Sequence, residues 1–248
     1  MVVADYLAWP RAAECFALLA DEAKAASWSH VEYLAKVVAE QASATVNRRL
    51  TARLRYARFP YRRTLDDFDF DFAFQPSVDQ KLVEDLATLR FIEEQRPIVL
   101  LGQAGTGKSH LLVALGHHAV DAGKRVRYFS ATDLVETLYR GLADNSVGRV
   151  IEQILKADLV LIDEIGFAPM DDTGAQLSFR LVAAAYETRS LGIGSHWPFE
   201  DWGRFLPEHT TAVSLLDRLL HHSVLVVTSG ESFRLKESRR KGGGTRLT

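Results

Sequence analysis

The residues Gly102-Gln103-Ala104-Gly105-Thr106-Gly107-Lys108-Ser109 fit the pattern G-x-x-x-x-G-K-[ST] without a mismatch. No other stretch constrains the fold as tightly, because this pattern works only as a loop between a buried strand and the N-terminus of a helix. Its glycines let successive backbone N–H groups turn inward around phosphates, Lys108 can reach the outer phosphates, and the Ser109 hydroxyl can ligate Mg²⁺. A chance match in a chain of 248 residues has odds of about one in a hundred at average residue frequencies. The flanks reduce those odds. Pro97-Ile98-Val99-Leu100-Leu101 is short, apolar and partly β-branched, as a buried strand should be, and Leu111, Leu112, Leu115 and Ala119 follow at helical spacing. A helix N-terminus presents unpaired N–H groups and the positive end of its dipole to an anion. A nucleoside triphosphate is the expected ligand.

Beyond the loop, strands and helices alternate. Val126 to Phe129 reads as a strand, and Thr132 and Asp133 offer caps for a helix through Leu134, Leu138 and Tyr139. Leu159-Val160-Leu161-Ile162 is a continuous apolar run, and Ser190 to Ser195 and Ser223 to Val227 are two further strands. This order predicts an α/β fold with a parallel sheet covered by helices on both faces, and ligand sites at the C-terminal ends of the strands. The apolar run ends at Asp163-Glu164, where that rule puts chemistry. Asp163 is the expected metal residue, with Ser109. Glu164 is the expected general base for the attacking water.

Upstream, Phe16, Leu19, Ala20 and Ala23 share one face of a first helix. Ser29 and Glu32 form a capping box that opens a second, with Val31, Leu34, Ala35 and Val38 on one side. From Gln41 to Leu65 there is no acid, while Arg48, Arg49, Arg53, Arg55, Arg58, Arg62 and Arg63 fall within the stretch. That is a local positive field for nucleic-acid phosphates, or a solvated face paired with Asp66, Asp67, Asp69 and Asp71; patch charge does not separate the two. The alternation Phe68-Asp69-Phe70-Asp71-Phe72 suggests an extended segment, as core or over a nucleotide base. Pro76-Ser77 breaks the chain before a helix carrying Leu82, Leu86 and Leu89. The expected organisation is a helical domain over 1–64, a nucleotide-binding domain over 65–235 and a mobile basic tail over 236–248.

Composition excludes more than it selects. A single cysteine, Cys15, leaves no internal disulfide framework and suits a reducing cytoplasm. No apolar run approaches a membrane span of about 18 residues, and no signal peptide is evident at Met1 to Trp9. The net charge of −2 gives no global pull toward nucleic acid, so such binding must come from a local patch. His117-His118 and His221-His222 lack the spacing or cysteine company of a zinc site.

The segments Gly102 to His110, Asp163-Glu164-Ile165-Gly166, Tyr186 to Ser190, Trp202-Gly203, Leu216 to His222 and Gly230 to Leu235 resemble the IstB-type transposition helper ATPases. These are P-loop NTPases of the AAA+ type related to the helicase loader DnaC. The resemblance runs to about Lys236. It implies ATP and Mg²⁺ as ligands, with Gly102 to His110 forming the nucleotide loop. Arg218 is implied as an arginine finger reaching the phosphate bound by an adjacent subunit, and Arg234 as a second sensor. Its implied partners are duplex DNA, a transposase and further copies of the chain, which assemble in the presence of ATP and DNA. In one place the chain departs from the family. His196 stands at the first-sensor position, where the family normally carries asparagine, so hydrolysis is expected to be slow. About twenty residues follow Val227, too few for a full C-terminal lid, so a neighbouring subunit is expected to complete the site. Arg140 and Arg149 are candidates for an inner DNA-facing surface. The loop chemistry by itself also suits a helicase loader acting on single strands, or a small-molecule kinase.

Overall fold

A computed structural model describes residues 9–68, 79–167, 170–206 and 217–230. The chain forms two compact units, Met1–Arg55 and Tyr56–Thr248.

In the first unit, α1 (Pro10–Ala25) and the greater part of α2 (His30–Ala57) pack as a hairpin. Pro10 starts α1, where its missing N–H costs nothing. The capping box at α2 is present in full: Ser29 N–H donates to Glu32 at 2.7 Å and Glu32 N–H to the Ser29 hydroxyl at 3.2 Å. The predicted apolar sides are rotated. Val31, Leu34 and Val38 are exposed, as is Phe16, whereas Ala12, Cys15, Val37 and Gln41 are buried. Polar contacts accompany that rotation. Gln41 Oε1 accepts from Ala12 N–H at 3.1 Å, Tyr33 OH donates to the Phe16 carbonyl at 3.0 Å, and Arg11 pairs with Glu40 at 3.2 Å.

The second unit is built on a five-stranded sheet ordered β2-β3-β4-β1-β5. Its strands are β1 (Ile98–Gly102), β2 (Val126–Ser130), β3 (Leu159–Ile165), β4 (Ser190–Ser195) and β5 (Val224–Thr228), paired parallel throughout. Two short helices, α3 (Gln80–Ala87) and α4 (Arg90–Glu93), precede β1. Val83, Leu86 and Leu89 are buried there, and the break expected at Pro76-Ser77 lies outside the described residues. The crossovers are α5 (Lys108–Asp121), α6 (Ala131–Ala143) with α7 (Val147–Ile154), and α8 (Asp172–Ala185), followed after β4 by a 3₁₀ turn at Phe199–Arg204. The cap of α6 is Ser130, whose hydroxyl accepts from Asp133 N–H at 3.1 Å, rather than Thr132 or Asp133. β2 runs directly into α6 with no loop between them, so the last strand residue is also the cap.

Side chains alternate across a strand, and the two faces of the sheet divide accordingly. Val99, Leu101, Val160, Ile162, Leu191 and Ile193 pack in one core with α6, α7, α8 and Trp202. The other parity turns toward α5: a Cβ at Gly192 would meet Leu161 at 2.5 Å and Leu112 at 3.0 Å. Leu111, Leu112, Leu115 and Ala119, predicted to share a face, are all fully buried in α5. Each such leucine contributes roughly 1.5–3 kcal/mol by leaving water, which anchors the helix that carries Lys108 and Ser109.

Residues 56–64 belong with the sheet. Phe59 stacks on His117 with ring centroids 4.2 Å apart, and the carbonyls of Tyr61 and Thr64 lie 3.3 Å from His117 and His110 ring nitrogens. His118 meets the Ala87 carbonyl at 2.9 Å and His221 the Tyr186 hydroxyl at 2.9 Å, so these histidines serve packing.

Candidate nucleotide site

The glycine loop leaves β1 at Gly102 and enters α5 at Lys108. Gly102, Gly105 and Gly107 have φ of 149°, 83° and 92°, a region that L side chains rarely adopt. At Gly102 sterics add to this: a Cβ would stand 2.0 Å from the Thr228 carbonyl oxygen. Lys108 Nζ donates to the Gly102 and Gln103 carbonyls at 2.5 and 2.7 Å and is buried at the loop's centre.

Thr228, at the end of β5, holds the loop from beneath. Its Oγ1 lies 2.6 Å from Thr106 Oγ1 and 3.2 Å from the Leu101 carbonyl oxygen, and the Thr106 hydroxyl is 2.7 Å from the Gln103 carbonyl, so the two hydroxyl protons are shared among these contacts. Both hydroxyls are buried. No sequence pattern singled out Thr228. Its pairing with Gly102 in the sheet register does.

Asp163 shares strand parity with Leu159 and Leu161, so its carboxylate lies on the α5 face, where it is buried. Tyr128 OH donates to its Oδ2 at 3.3 Å and Glu164 N–H to its Oδ1 at 2.9 Å. Burial, and then the Asp163 charge, push the Tyr128 phenol far above its usual range, so it stays a donor. Gly194 makes the room: a Cβ there would meet Asp163 Oδ1. A regular strand would turn Glu164 to the opposite face from Asp163. Instead, the register between β3 and β4 slips between Ile162 and Ile165, and Glu164 takes φ 61°. Such a bulge re-aims side chains, and Glu164 is exposed at the strand end.

His196 follows the last residue of β4. Its neighbour Trp197 donates Nε1–H to the Gly166 carbonyl at 3.0 Å, and Ser195 Oγ donates to the Ile165 carbonyl at 3.0 Å, tying the ends of β3 and β4 together. Burial and the nearby Lys108 ammonium lower the pKa of His196, which keeps the imidazole neutral at neutral pH. Beside the loop, His110 meets the Phe68 ring edge-on with centroids 5.4 Å apart; its pKa is also lowered, by burial. Phe70 and Phe72 lie outside the described residues, as does Arg234.

The structure therefore gathers Gly102 to His110, Asp163, Glu164 and His196 at the C-terminal edge of the sheet. Arg218 lies at the other edge. It precedes β5, lines a cavity with Arg96, Pro97, Tyr186 and Glu187, and stacks its guanidinium 4.8 Å from the Phe179 ring of α8. The sheet separates it from the loop by a five-residue strand, about 17 Å at 3.3 Å per residue.

The residues fit a nucleoside triphosphate and a divalent cation. Three left-handed glycines open a cradle for phosphates ahead of a helix N-terminus, with a buried ammonium at its centre. No group of three or more His, Cys, Asp or Glu side chains suited to a metal occurs among the described residues. A hydroxyl such as that of Ser109 and a carboxylate such as that of Asp163 are ligand types that suit Mg²⁺, because that ion keeps waters and phosphate oxygens as its other ligands.

A strand–glycine loop–helix in a parallel sheet with acids at the end of the third strand defines a P-loop ATPase of the AAA+ type. Its model matching residues 3–241, the IstB-like ATP binding protein family is the one to which this chain belongs. The insertion sequence IS21 ATP-binding protein of Pseudomonas aeruginosa is 40% identical over 93% of this chain and 86% of its own length. Among solved structures, DnaI superposes with a TM-score of 0.56 at 16% identity, over 68% of this chain and 92% of DnaI. The replication initiator DnaA bound to AMPPCP and single-stranded DNA gives 0.52 at 22% identity over 75% of this chain, which spans 56% of the DnaA chain. Those two likenesses are of fold. Among the described residues no helix is long and apolar enough to cross a membrane.

Proposed function

We propose that ATP drives this insertion-sequence ATPase to assemble head to tail on duplex DNA, and that the assembly stimulates a partner transposase. The observation that carries the proposal is the separation of Arg218 from the glycine loop by the length of the sheet. One chain cannot bring both to the same γ-phosphate. Two chains can, if the strand N-terminal edge of one meets the C-terminal edge of the next. The DNA part of the reading is supported by family membership and by the arginine run: among the described residues none of Arg48, Arg49, Arg53, Arg55, Arg58, Arg62 and Arg63 makes an ion pair. Asp67 is spent on Thr64 instead, accepting from its N–H and hydroxyl at 3.1 and 2.7 Å.

In this reading, Lys108 leaves the loop carbonyls for the outer phosphates, and the loop N–H groups hold the β-phosphate. Mg²⁺ held by Ser109 and Asp163 would supply charge neutralisation of the transferring group. Glu164 accepts the proton of the attacking water. His196 donates to that water or to the γ-phosphate, Arg218 of the neighbouring chain stabilises charge on the equatorial oxygens, and Arg234 acts on the nucleotide from the C-terminal segment. Hydrolysis then loosens the assembly.

Sizing of the purified chain with a non-hydrolysable ATP analogue should give a large species only when duplex DNA is added. A persistent monomer sinks the reading, and a preference for single strands redirects it to helicase loading. A neutral imidazole offers one N–H where an amide offers two donors and a carbonyl. His196→Asn is accordingly expected to raise turnover several-fold without changing ATP affinity, and equal rates in a steady-state phosphate-release assay would remove His196 from the mechanism.

A further inference from the structure

β2 is an edge strand, and along it runs an open groove of about 550 Å³ whose lining includes Tyr56, Arg58, Arg127, Asp144, Arg149 and Gln153. Arg127 is held in place. Its Nη1 donates to the Tyr56 carbonyl at 2.6 Å, and its guanidinium lies 5.3 and 5.1 Å from the Tyr56 and Phe129 ring centroids. That arrangement leaves further N–H donors of the fork available. Burial disfavours the Arg127 cation, and the like charge of Arg58 acts in the same direction. Among the described residues Arg58, Arg127 and Arg149 form no ion pair. Asp144 accepts from Ser146 N–H at 3.2 Å and Ser146 Oγ at 2.5 Å, and its carboxylate also feels the Arg149 charge without an ion pair between them. Three guanidiniums against one carboxylate leave an excess of two positive charges in the lining.

An anion seated in the groove would relieve the like-charge effect of Arg58 on Arg127. A protein partner would want a large apolar or aromatic anchor at such a place, yet none of the large exposed apolar side chains lines this groove. An excess of positive charge is a mark of nucleic-acid contact. Single strands bind by stacking bases on free aromatic faces. Here Arg127 occupies the Tyr56 face and Phe129 is buried, so no platform is offered. The phosphodiester chain is what remains, contacted without regard to sequence.

We propose that this groove seats the backbone of duplex DNA, with Arg58, Arg127 and Arg149 as phosphate contacts; the proposal rests on the DNA reading above and gives it a location. The test is titration of a labelled 30-base-pair duplex of mixed sequence with the full chain and an ATP analogue, at several salt concentrations. The double variant Arg58→Ala/Arg149→Ala is expected to bind at least about tenfold more weakly, with the slope of log affinity against log salt reduced by about 2. The double variant Arg58→Lys/Arg149→Lys should keep the slope. Unchanged ATP-analogue binding and melting temperature establish that both variants fold. Wild-type binding with an unchanged slope in the alanine variant overturns the groove assignment alone. Loss of transposase capture with DNA affinity intact also overturns it, in favour of a protein surface. Absence of duplex binding by the wild-type chain overturns this inference together with the DNA reading.

Discussion

Replacing Arg218 with alanine is expected to lower ATP turnover of the assembled protein by about 10³ to 10⁵-fold, the range an arginine finger supplies, while the ATP affinity of the isolated chain stays unchanged. Both halves follow from position. Arg218 is too far from its own glycine loop to touch bound nucleotide, so its loss leaves binding by a single chain alone. Arg218 is half-buried against the Phe179 ring and forms no ion pair among the described residues, so no carboxylate among them neutralises it. A mixing experiment separates action between chains from action within one. Arg218→Ala has a sound loop and no finger; Lys108→Ala has a finger and no sound loop. Neither should turn over ATP by itself, and a mixture of the two with DNA should recover a measurable fraction of wild-type activity. If the mixture stays inactive while wild-type mixtures are active, or if Arg218→Ala alone keeps its rate, the head-to-tail site is wrong.

Glu164→Gln should reduce turnover about 10²- to 10⁴-fold, the contribution typical of a positioned general base, with ATP binding retained. Binding relies on the glycine cradle and Lys108, which the substitution leaves untouched. Glutamine keeps the shape and can occupy the same left-handed backbone at the β3 bulge, but it cannot take a proton. With hydrolysis blocked, the ATP-dependent assembly on DNA should outlive that of the wild type. Single-turnover kinetics measure the first effect and dissociation of the DNA complex the second. A rate within a few-fold of wild type would mean that another group accepts the proton, and the exposed position of Glu164 would then need a different explanation.

The parts of this site that follow one another in the chain were the legible ones. A strand, a glycine loop and a helix are contiguous, and each has its own local signature in β-branched runs, glycines and helical spacing. The central strands β1 and β3 lie where continuous apolar runs fall, because a strand buried on both faces has to be apolar throughout, whereas the edge strands β2 and β5 are partly exposed and were marked by shorter apolar runs. Local polarity was less informative where faces compete. In the N-terminal helices the apolar stripes of Phe16, Val31, Leu34 and Val38 are exposed, and the buried face instead carries Ala12, Cys15, Val37 and Gln41, with Gln41 bonded to Ala12 N–H. A stripe shows that a helix is amphipathic and leaves open which face it buries.

The glycine loop of Gly102 to Ser109 and the acids Asp163 and Glu164 were determined by sequence, because the conformation of a phosphate cradle depends on glycines at fixed spacing and the sheet rule sends chemistry to strand ends. Only the tertiary structure decided which groups share an edge. Thr228 lies under Gly102 through sheet register, Gly194 clears the space for Asp163, a one-residue slip in pairing turns Glu164 outward, and Arg218 is carried to the far end of the same sheet. The reason is that sequence patterns report the conformation of neighbours along the chain, whereas register and strand order, set by packing over the whole sheet, determine which distant residues meet.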